Sequence, residues 1–600
     1  MKHFTIVLLA LLFMSFSFSQ TDKRLKGLEK ELNTILEFTK TAGFAVAIVE
    51  EDRVIYSKGF GFRDYDAKIP VDANTLFAIG SSTKAFTSSI LGLLRADDKL
   101  SFDDRPQKYI PELEFYNDNM NNHIIIKDLM RHSTGLARHD ASWYYFPSTS
   151  KDSLLMRMKY HEPFTGIRQQ WYYNNFGFLA QGVIAERITG KSWEDNLKDY
   201  FFAPLSMTNT NASIAEMKTN SNASYGYEVN NDTIKRMDYY DIAGMSPAGS
   251  INSSANDMAK WLMTWINKGQ FKDKEIIPED YISEAINAQI ALGQSAPDDE
   301  FPDIHFANYG YGWFLQSYKG HYRVEHGGNI DGFSASVAFF PSDKIGIVVL
   351  ANQDGSALPS LVRNTIADRM INTKRTDWLE RYEKKMKESE DDESESENEE
   401  DQETSNVKNT STSHINTEYL GKYNNPGYGT FDITSKNDSL FTTLNNDKIY
   451  LRHYHYDIFE LIDVVEGKVD TTQYGASIKI SFMTNETGDI SEAKIKIEPT
   501  VDAIVFDRTP NSIDVDKKTL ERYVGLYDIK GTEIKVYIKN ETLYVFVKGQ
   551  PEYEQIPMAK HEFSFKTLEG FKIEFLESEE GIINEIKMIQ PNGTFIAKRK

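Results

Sequence analysis

A serine and a lysine three residues apart begin an otherwise apolar stretch of the chain. The stretch reads AIGSSTKAFTSSILGLL, and it carries Ser81 and Lys84 near its start. Residues i and i+3 lie on one face of a helix, so the hydroxyl and the amine are expected side by side. Such a lysine accepts the serine proton, or stabilises the alkoxide, when burial lowers the pKa of the amine. The pair predicts an activated nucleophile at a helix N-terminus, where developing negative charge is favoured.

The Ser-x-x-Lys spacing alone is not specific. It recurs at Ser148, Ser405 and Ser491. An N-cap serine followed by a solvated lysine is the alternative explanation for any such match. Of the four copies, the one at Ser81 alone precedes an apolar helical pattern, and this favours the catalytic interpretation.

Two further stretches carry residues that suit the same chemistry. WYYNNFGFLAQGVIAERITG contains Tyr-x-Asn, Tyr173 with Asn175, in front of a predicted helix. RVEHGGNIDGFSASVAFFP places His326, Gly327 and Gly328 beside a predicted strand. Glycines in a strand allow bare backbone to approach a ligand closely.

These motifs together give the sequence a family resemblance. SSTK, the tyrosine motif and HGG follow one another as the corresponding motifs do in the serine β-lactamase and penicillin-binding superfamily. KDLMRHSTGL and YGYGW also match that superfamily. The chain resembles its class C branch and the related peptidases and esterases over about residues 25–375.

The resemblance implies a role for each matching side chain. Ser81 would be the acylated nucleophile, and Lys84 would help to deprotonate it. Tyr173 would be a second base that shuttles the proton to the leaving group. Asn175 would hydrogen-bond both Lys84 and the acyl side chain of the substrate.

The glycine motif is implied to line the bound substrate. The backbone N–H groups of Ser81 and of Asn329, the residue after Gly328, would form the oxyanion hole. His326 departs from the family pattern, which usually has a charged lysine there. A histidine has a pKa near ~6.5 and is mostly neutral at pH 7, so it attracts a penicillin-type carboxylate more weakly. This departure favours a peptidase or an esterase over a dedicated β-lactamase.

The register of the tyrosine motif is open, because Tyr172 with Asn174 also fits Tyr-x-Asn. The residues 176–178, Phe-Gly-Phe, resemble the aromatic tail that follows the family motif. They favour Tyr173 with Asn175.

Three further histidines receive plainer interpretations. His132, in RHSTG, is expected to hold its own loop in place. His453 and His455 share one face of a predicted strand and could bind a metal ion, but no third ligand is evident nearby. The sequence therefore predicts no metal and no organic cofactor.

The pattern of apolar residues predicts an α/β fold of the α+β type. Strands at 44–49, 54–56, 334–340 and 345–351 and helices at about 25–36 and 358–371 flank a largely helical middle. We therefore expect an antiparallel sheet, assembled from distant segments and flanked by helices. The family resemblance implies that this sheet is β-lactamase-like.

The chain divides into five predicted segments. Residues 1–19 form a secretory signal peptide, and 20–382 form the hydrolase domain. Residues 383–413 form a disordered acidic linker, whose core ESEDDESESENEEDQE has 11 acidic residues in 16. Residues 414–510 and 511–600 each form a small β-barrel module. The two modules share a Tyr-x-Gly-x-Tyr repeat, and they resemble the lipocalin-like modules attached to some serine peptidases.

Composition excludes several classes of function. The 600-residue chain has a formal charge of −22, which argues against nucleic acid as a partner. It has no cysteine, so disulfides and thiolate catalysis are excluded. No segment after the signal is long and apolar enough to span a membrane. The oligomeric state is open, a homo-oligomer included.

The sequence thus predicts an exported serine hydrolase, periplasmic or secreted, that acts through an acyl-enzyme. Its expected substrate is a small molecule or a peptide, with D-amino-acid-containing peptides foremost. A carboxylesterase or a β-lactamase with the same site is the alternative within this class. A binding or sensor protein that kept the fold and lost turnover is the alternative from another class.

Overall fold

The computed structural model of the protein describes most of the chain. It covers residues 22–600, apart from 231, 294–304, 390–409, 466, 475–476, 510–513, 569–570 and 591–592. The predicted signal peptide, residues 1–19, and most of the predicted linker, residues 390–409, therefore lie outside the described part. The first residues of the predicted linker, 383–389, continue a helix.

The described residues form two compact units. The first comprises the chain up to Arg138 and from Ser148 to the acidic run. The second comprises His139–Pro147 together with the residues that follow the acidic run. The segment His139–Pro147, which lies within the predicted hydrolase domain of residues 20–382, thus belongs with the C-terminal modules.

An antiparallel sheet forms the centre of the first unit. Its nine described strands are Gly43–Glu50 (β1), Arg53–Asp64 (β2), Ile69–Pro70 (β3), Ile290–Ala291 (β4), Ala307–Tyr309 (β5), Phe314–Tyr318 (β6), His321–Ile330 (β7), Phe333–Phe340 (β8) and Ile345–Ala351 (β9). Their spatial order is β4-β5-β6-β7-β8-β9-β1-β2-β3. Strand β1 pairs with β9 from the far end of the unit, with Val46 opposite Val349. The predicted antiparallel sheet assembled from distant segments is confirmed.

Helices cover both faces of this sheet. The longer helices are Leu28–Phe38 (α1), Lys84–Ala96 (α2), Asn175–Thr189 (α3), Ala255–Ile266 (α4) and Leu358–Met370 (α5). Shorter helices are Asp118–His123, Ile126–Met130, Lys151–Leu155, Trp193–Leu197, Ile214–Thr219, Ser246–Gly249 and Glu279–Ala285. The helices predicted near the two ends of the unit correspond to α1 and α5, with slightly different ends.

The alternation of side chains along β1 explains how both faces are filled. Phe44, Val46 and Ile48 pack in one cluster with α1 and α5. The residues between them are also fully buried and point to the opposite face. A Cβ on Gly346 of β9 would lie 3.0 Å from Ile266, so α4 covers that opposite face. Burial on both sides is the reason that β1 is a continuous apolar run.

A short 3-10 turn, Gly80–Thr83, directly precedes α2. Ser81 therefore lies in this turn and not in the α-helix, while Lys84 is the first residue of α2. Helix α2 is almost completely buried and packs against α3, whose first residue is Asn175. The start of each helix carries one of the predicted site residues.

Two antiparallel barrels of eight strands make up most of the described part of the second unit. The first consists of Gly421–Asn425, Gly429–Lys436, Ser439–Leu444, Asp447–His455, Ile458–Val465, Lys479–Thr484, Ile490–Ile495 and Ile504–Thr509. The second consists of Gly525–Ile529, Thr532–Lys539, Thr542–Val547, Glu552–Ala559, Glu562–Phe565, Lys572–Glu577, Ile583–Gln590 and Gly593–Arg599. These barrels confirm the prediction of two small all-β modules.

The repeated Tyr-x-Gly-x-Tyr motif makes the same hydrogen bond in both barrels. The hydroxyl of Tyr423 donates to the carbonyl of Tyr419 at 2.8 Å. The hydroxyl of Tyr527 donates to the carbonyl of Tyr523 at 2.9 Å. All four tyrosines are buried, so the motif satisfies the phenol of its second tyrosine while both rings fill the core.

The segment His139–Pro147 is anchored on the first barrel by apolar and polar contacts. Phe146 is buried in the barrel core cluster, with its ring centre 5.7 Å from that of Phe506. The hydroxyl of Ser142 donates to the carbonyl of Gly427 at 2.7 Å. These contacts explain why the segment belongs to the second unit.

Candidate active site

The turn that carries the serine packs tightly against strand β7. Gly80 has a φ of +48°, and a Cβ on it would lie 2.8 Å from the backbone nitrogen of Asn329. A Cβ on Gly328 would lie 1.9 Å from the carbonyl oxygen of Ile79 and 3.0 Å from the nitrogen of Ser81. Both positions therefore require glycine. The close approach sets the backbones of Ser81 and Asn329 next to each other, as a two-donor oxyanion hole requires.

Lys84 connects three parts of the site. Its Nζ donates to Ser81 Oγ at 3.0 Å, to Asn175 Oδ1 at 2.7 Å and to the carbonyl of Ala248 at 2.8 Å. The side chain is fully buried. A lysine ammonium has three donors, and these three acceptors fix its position relative to the serine hydroxyl.

The two asparagines of the tyrosine motif do different things. Asn174 caps α3, since its Oδ1 accepts from the N–H of Gly177 at 2.9 Å, and its Nδ2 donates to the carbonyl of Ala137 at 2.6 Å. Asn175 points inward to Lys84. The structure thus brings Asn175, and not Asn174, to the lysine, which is the register that the aromatic tail favours.

The phenol of the motif lies in the same site. Lys84 Nζ lies 4.8 Å from the ring centre of Tyr173, and the guanidinium carbon of Arg138 lies 4.9 Å from it. Hydroxyl, amine and phenol therefore converge from three distant parts of the sequence. Such a group of side chains can deprotonate a serine and return the proton to a leaving group.

His326 is buried and held as a neutral imidazole. Its Nδ1 donates to the carbonyl of Gly327 at 2.6 Å, and its Nε2 accepts from the hydroxyl of Tyr309 at 3.1 Å. Burial lowers the pKa of His326 to about 3, and the charge of Lys84 adds to this effect. Burial also raises the pKa of Tyr309 well above its usual range, so the phenol stays a donor. Near neutral pH this position carries no positive charge.

The sequence did not reveal the third acceptor of Lys84, the carbonyl of Ala248. Its neighbour Pro247 accepts a hydrogen bond from Thr87 Oγ1 at 2.7 Å, and Trp193 Nε1 donates to the same hydroxyl at 3.1 Å. Thr87 is one helical turn after Lys84, so side chains from adjacent turns of α2 donate to the adjacent carbonyls of Pro247 and Ala248. A backbone carbonyl has no side-chain signature, and Ser-Pro-Ala-Gly signals only a turn. Tyr309 was missed as a partner of His326, although its YGYGW stretch was part of the resemblance.

The comparison with protein families agrees with this geometry. The model of the family described as beta-lactamase matches residues 30–368, which is more than half of the chain. The chain belongs to the beta-lactamase family. This confirms the resemblance to the serine β-lactamase and penicillin-binding superfamily. A domain of unknown function, DUF3471, matches residues 405–508.

Two relatives of this beta-lactamase family member extend the comparison. Protein flp of Staphylococcus aureus (strain MW2) is 25% identical over 360 residues, which cover 58% of this chain and 67% of that protein. Unguisins hydrolase ungD of Aspergillus violaceofuscus is 26% identical over 382 residues, covering 59% of this chain and 66% of that protein. The chain thus spans about two thirds of each relative. Family membership and the named hydrolase identify the chain as a serine hydrolase.

A solved structure supports the fold. The penicillin-binding protein homologue from Pyrococcus abyssi, described as octameric, has a TM-score of 0.53 at 18% identity. The match covers 80% of this chain and 100% of that one. At this identity the likeness concerns the fold alone.

Two further properties concern the part of the chain that the structure describes. Within it, no three side chains of His, Asp or Glu come together in a way that could hold a metal ion. His453, one of the candidate ligands, directs its Nε2 to the carbonyl of Tyr456 at 2.8 Å. No helix in these residues has the length and apolar character needed to cross a membrane.

Proposed function

We propose that this serine hydrolase acts through an acyl-enzyme on Ser81 and that its substrates are small peptides, including peptides with D-amino acids. The observation that carries the proposal is the 3.0 Å contact between Lys84 Nζ and Ser81 Oγ in a buried site. An amine held against a hydroxyl and beside a phenol is suited to nucleophilic catalysis.

In the first step, Lys84 releases one proton to solvent and becomes a neutral amine; Ser81 Oγ then bonds to the carbonyl carbon of the substrate while its own proton moves to that amine. The negative charge that develops on the carbonyl oxygen is stabilised by the N–H groups of Ser81 and Asn329. Tyr173 then donates its phenolic proton to the leaving nitrogen as the C–N bond breaks, and Lys84 reprotonates it. Asn175 holds both Lys84 and the acyl side of the substrate.

In the second step, water replaces the amine. The same groups take one proton from the water as its oxygen bonds to the acyl carbon, and Ser81 leaves with that proton. The products are a carboxylic acid and the free enzyme, and the cycle uses no cofactor.

The preference for peptides over β-lactams is supported by the neutral state of His326. A buried imidazole with a pKa of about 3 provides no positive charge for a substrate carboxylate. Substrates with an uncharged group at this position are therefore favoured. The name of the fungal relative, a hydrolase, supports turnover over a purely binding role.

A substrate profile tests this proposal. The purified protein is assayed on matched D-alanyl and L-alanyl peptides, short acyl esters and a chromogenic cephalosporin. The expected result is turnover of peptides, with slow or absent hydrolysis of the cephalosporin. Hydrolysis of esters without any peptide cleavage would identify a carboxylesterase, and rapid cephalosporin turnover a β-lactamase. An adduct that forms and never decays would identify a sensor.

We also propose that the protein is exported to the periplasm or secreted, and that its barrels are lipocalin-like modules. The basic and apolar start of the sequence supports export. N-terminal sequencing of protein from each cell fraction tests it, with Gln20 expected as the first residue. Light scattering of the same material tests the homo-oligomer, which the octameric homologue makes worth examining.

A further inference from the structure

We propose that His132 is a positioning residue for Tyr173, because it accepts hydrogen bonds from the backbone on both sides of Tyr173 and packs its ring against the phenol. The inference rests on the proposed role of Tyr173 as a proton shuttle. It goes beyond the sequence prediction, which gave His132 only the task of holding its own loop.

The backbone contacts span the tyrosine. The N–H of Tyr172 donates to the carbonyl of His132 at 3.1 Å. The N–H of Asn174 donates to His132 Nδ1, also at 3.1 Å. In extended chain, the N–H groups of residues i and i+2 point to the same side. One histidine therefore holds the segment before α3 at both neighbours of Tyr173.

The ring contact adds a third restraint. The imidazole centre of His132 lies 4.5 Å from the ring centre of Tyr173, with 34° between the planes. Phe178 and Tyr309 lie against the same imidazole, at 5.1 Å and 4.8 Å. The side chain is 2% exposed. The phenol of Tyr173 is thus packed on a side chain that has no room to move.

The protonation state of His132 suits this task. Because Nδ1 accepts the Asn174 N–H, the ring proton resides on Nε2, which is buried and makes no hydrogen bond in the described residues. Burial lowers the pKa of His132 well below its usual range, and the positive charges of Lys84 and Arg138 add to this. The imidazole stays neutral, and its Nδ1 stays an acceptor.

The loop that carries His132 is itself fixed. His132 has a φ of +58°, a left-handed conformation that is uncommon outside glycine. The next residue, Ser133, donates from Oγ to the fully buried carboxylate of Asp128 at 2.9 Å. Arg168 donates to the same carboxylate and also, through its backbone N–H, to the carbonyl of Ser133 at 2.8 Å. A positioning residue needs such a rigid base.

Two substitutions separate the contacts. His132→Phe keeps a ring beside Tyr173 and removes the acceptor for the Asn174 N–H. His132→Asn keeps an acceptor at the δ position and tolerates the left-handed φ, but it removes the ring. We expect His132→Phe to lower kcat by ~100-fold with little change in KM, since misplacement of a catalytic group by ~1 Å has that effect. His132→Asn should recover most of the loss.

The experiment is a double-substitution cycle on the full-length protein, with a simple alkyl ester as the probe substrate, because its alkoxide leaving group needs a proton. Circular dichroism verifies folding. His132→Phe and His132→Asn are each measured alone and together with Tyr173→Phe. If His132 acts through Tyr173, neither change lowers kcat further once the phenolic hydroxyl is gone.

The outcomes are distinct. Equal fold-losses in both backgrounds would overturn the inference, because a purely structural histidine lowers activity irrespective of Tyr173. If His132→Phe does not fold, His132→Ala, which removes both the ring and the Nδ1 acceptor, takes its place in the same comparison. A Tyr173→Phe protein with full activity would instead refute the proposed function of Tyr173, which the single substitution reveals separately.

Discussion

Replacing Gly328 by alanine is expected to push strand β7 away from the turn that carries Ser81. The added Cβ would lie 1.9 Å from the carbonyl oxygen of Ile79 and 3.0 Å from the nitrogen of Ser81. Ordinary van der Waals contact begins near 3.4 Å, so one of the two backbones must move by about 1.5 Å. No flexible side chain is available to absorb the overlap, because both neighbouring groups are backbone.

This displacement would separate the two N–H groups of the oxyanion hole. Loss of one oxyanion donor lowers kcat by ~10²–10³-fold, so we expect the acylation rate of Gly328→Ala to fall at least ~100-fold. Stopped-flow measurement of acylation with an activated ester gives this rate directly. Thermal unfolding followed by circular dichroism shows whether the variant is folded.

The neighbouring glycine provides a matched control. A Cβ on Gly327 meets only the carbonyl oxygen of Ala335, at 3.4 Å, because it points to the other side of β7. Gly327→Ala should therefore change the acylation rate by about twofold or less, the equivalent of ~0.5 kcal/mol. Acylation by folded Gly328→Ala at a rate close to that of Gly327→Ala would refute the reasoning.

Three further predictions concern the surroundings of the site and the second unit. Thr87→Val leaves the buried N–H of Trp193 without its acceptor and the carbonyl of Pro247 without its donor. The free energy of unfolding should therefore fall by ~1–3 kcal/mol in urea titrations. An unchanged urea midpoint would contradict this. His326 has its pKa lowered to about 3, so the unfolded state binds more protons than the folded state between pH 3 and 6.5. The stabilisation by the neutral imidazole is complete above about pH 6.5 and is lost as the pH falls, by up to ~1.4 kcal/mol per pH unit. His326→Gln should show a shallower loss of stability over that window, and an identical pH profile would count against the buried neutral state. Phe146→Ala should destabilise the second unit by ~3–5 kcal/mol in calorimetry. Tyr456 is 62% exposed, so Tyr456→Ala should have little effect. Equal effects of the two substitutions would contradict the anchoring of Phe146.

The sheet of the first unit could be predicted because its strands carry strong patterns. Strand β9 is a continuous apolar run, and β8 is interrupted only by Ser334 and Ser336. A polar turn separates the two strands, and burial on both faces produces such runs. The repeat in the second unit could also be predicted from the sequence, since each Tyr-x-Gly-x-Tyr makes the same hydrogen bond in its barrel. The place of the short segment His139–Pro147 in the second unit could not be predicted from the sequence. It was predicted to lie within the hydrolase domain of residues 20–382, because nothing local shows that Phe146 is buried in a barrel encoded far along the chain.

In the candidate active site, too, some residues could be predicted from the sequence and others could not. Ser81, Lys84, Tyr173 and Asn175 could be named because their side-chain types suit nucleophilic catalysis, and the structure brings them together. Ala248 could not be named, because its contribution is a carbonyl that any residue possesses. The role of His132 depends on the register of the Tyr173 segment, which only tertiary structure defines.

The central claim, a covalent intermediate on Ser81, is tested most directly by mass spectrometry of the intact protein after reaction with a fluorophosphonate probe. The unmodified sequence should gain one phosphonyl group, and peptide mapping should locate it on Ser81. Ser491→Ala, which alters another Ser-x-x-Lys copy, should react in the same way, and Ser81→Ala should gain nothing. A stoichiometric adduct on folded Ser81→Ala protein, or an adduct mapped to another serine, would contradict the account.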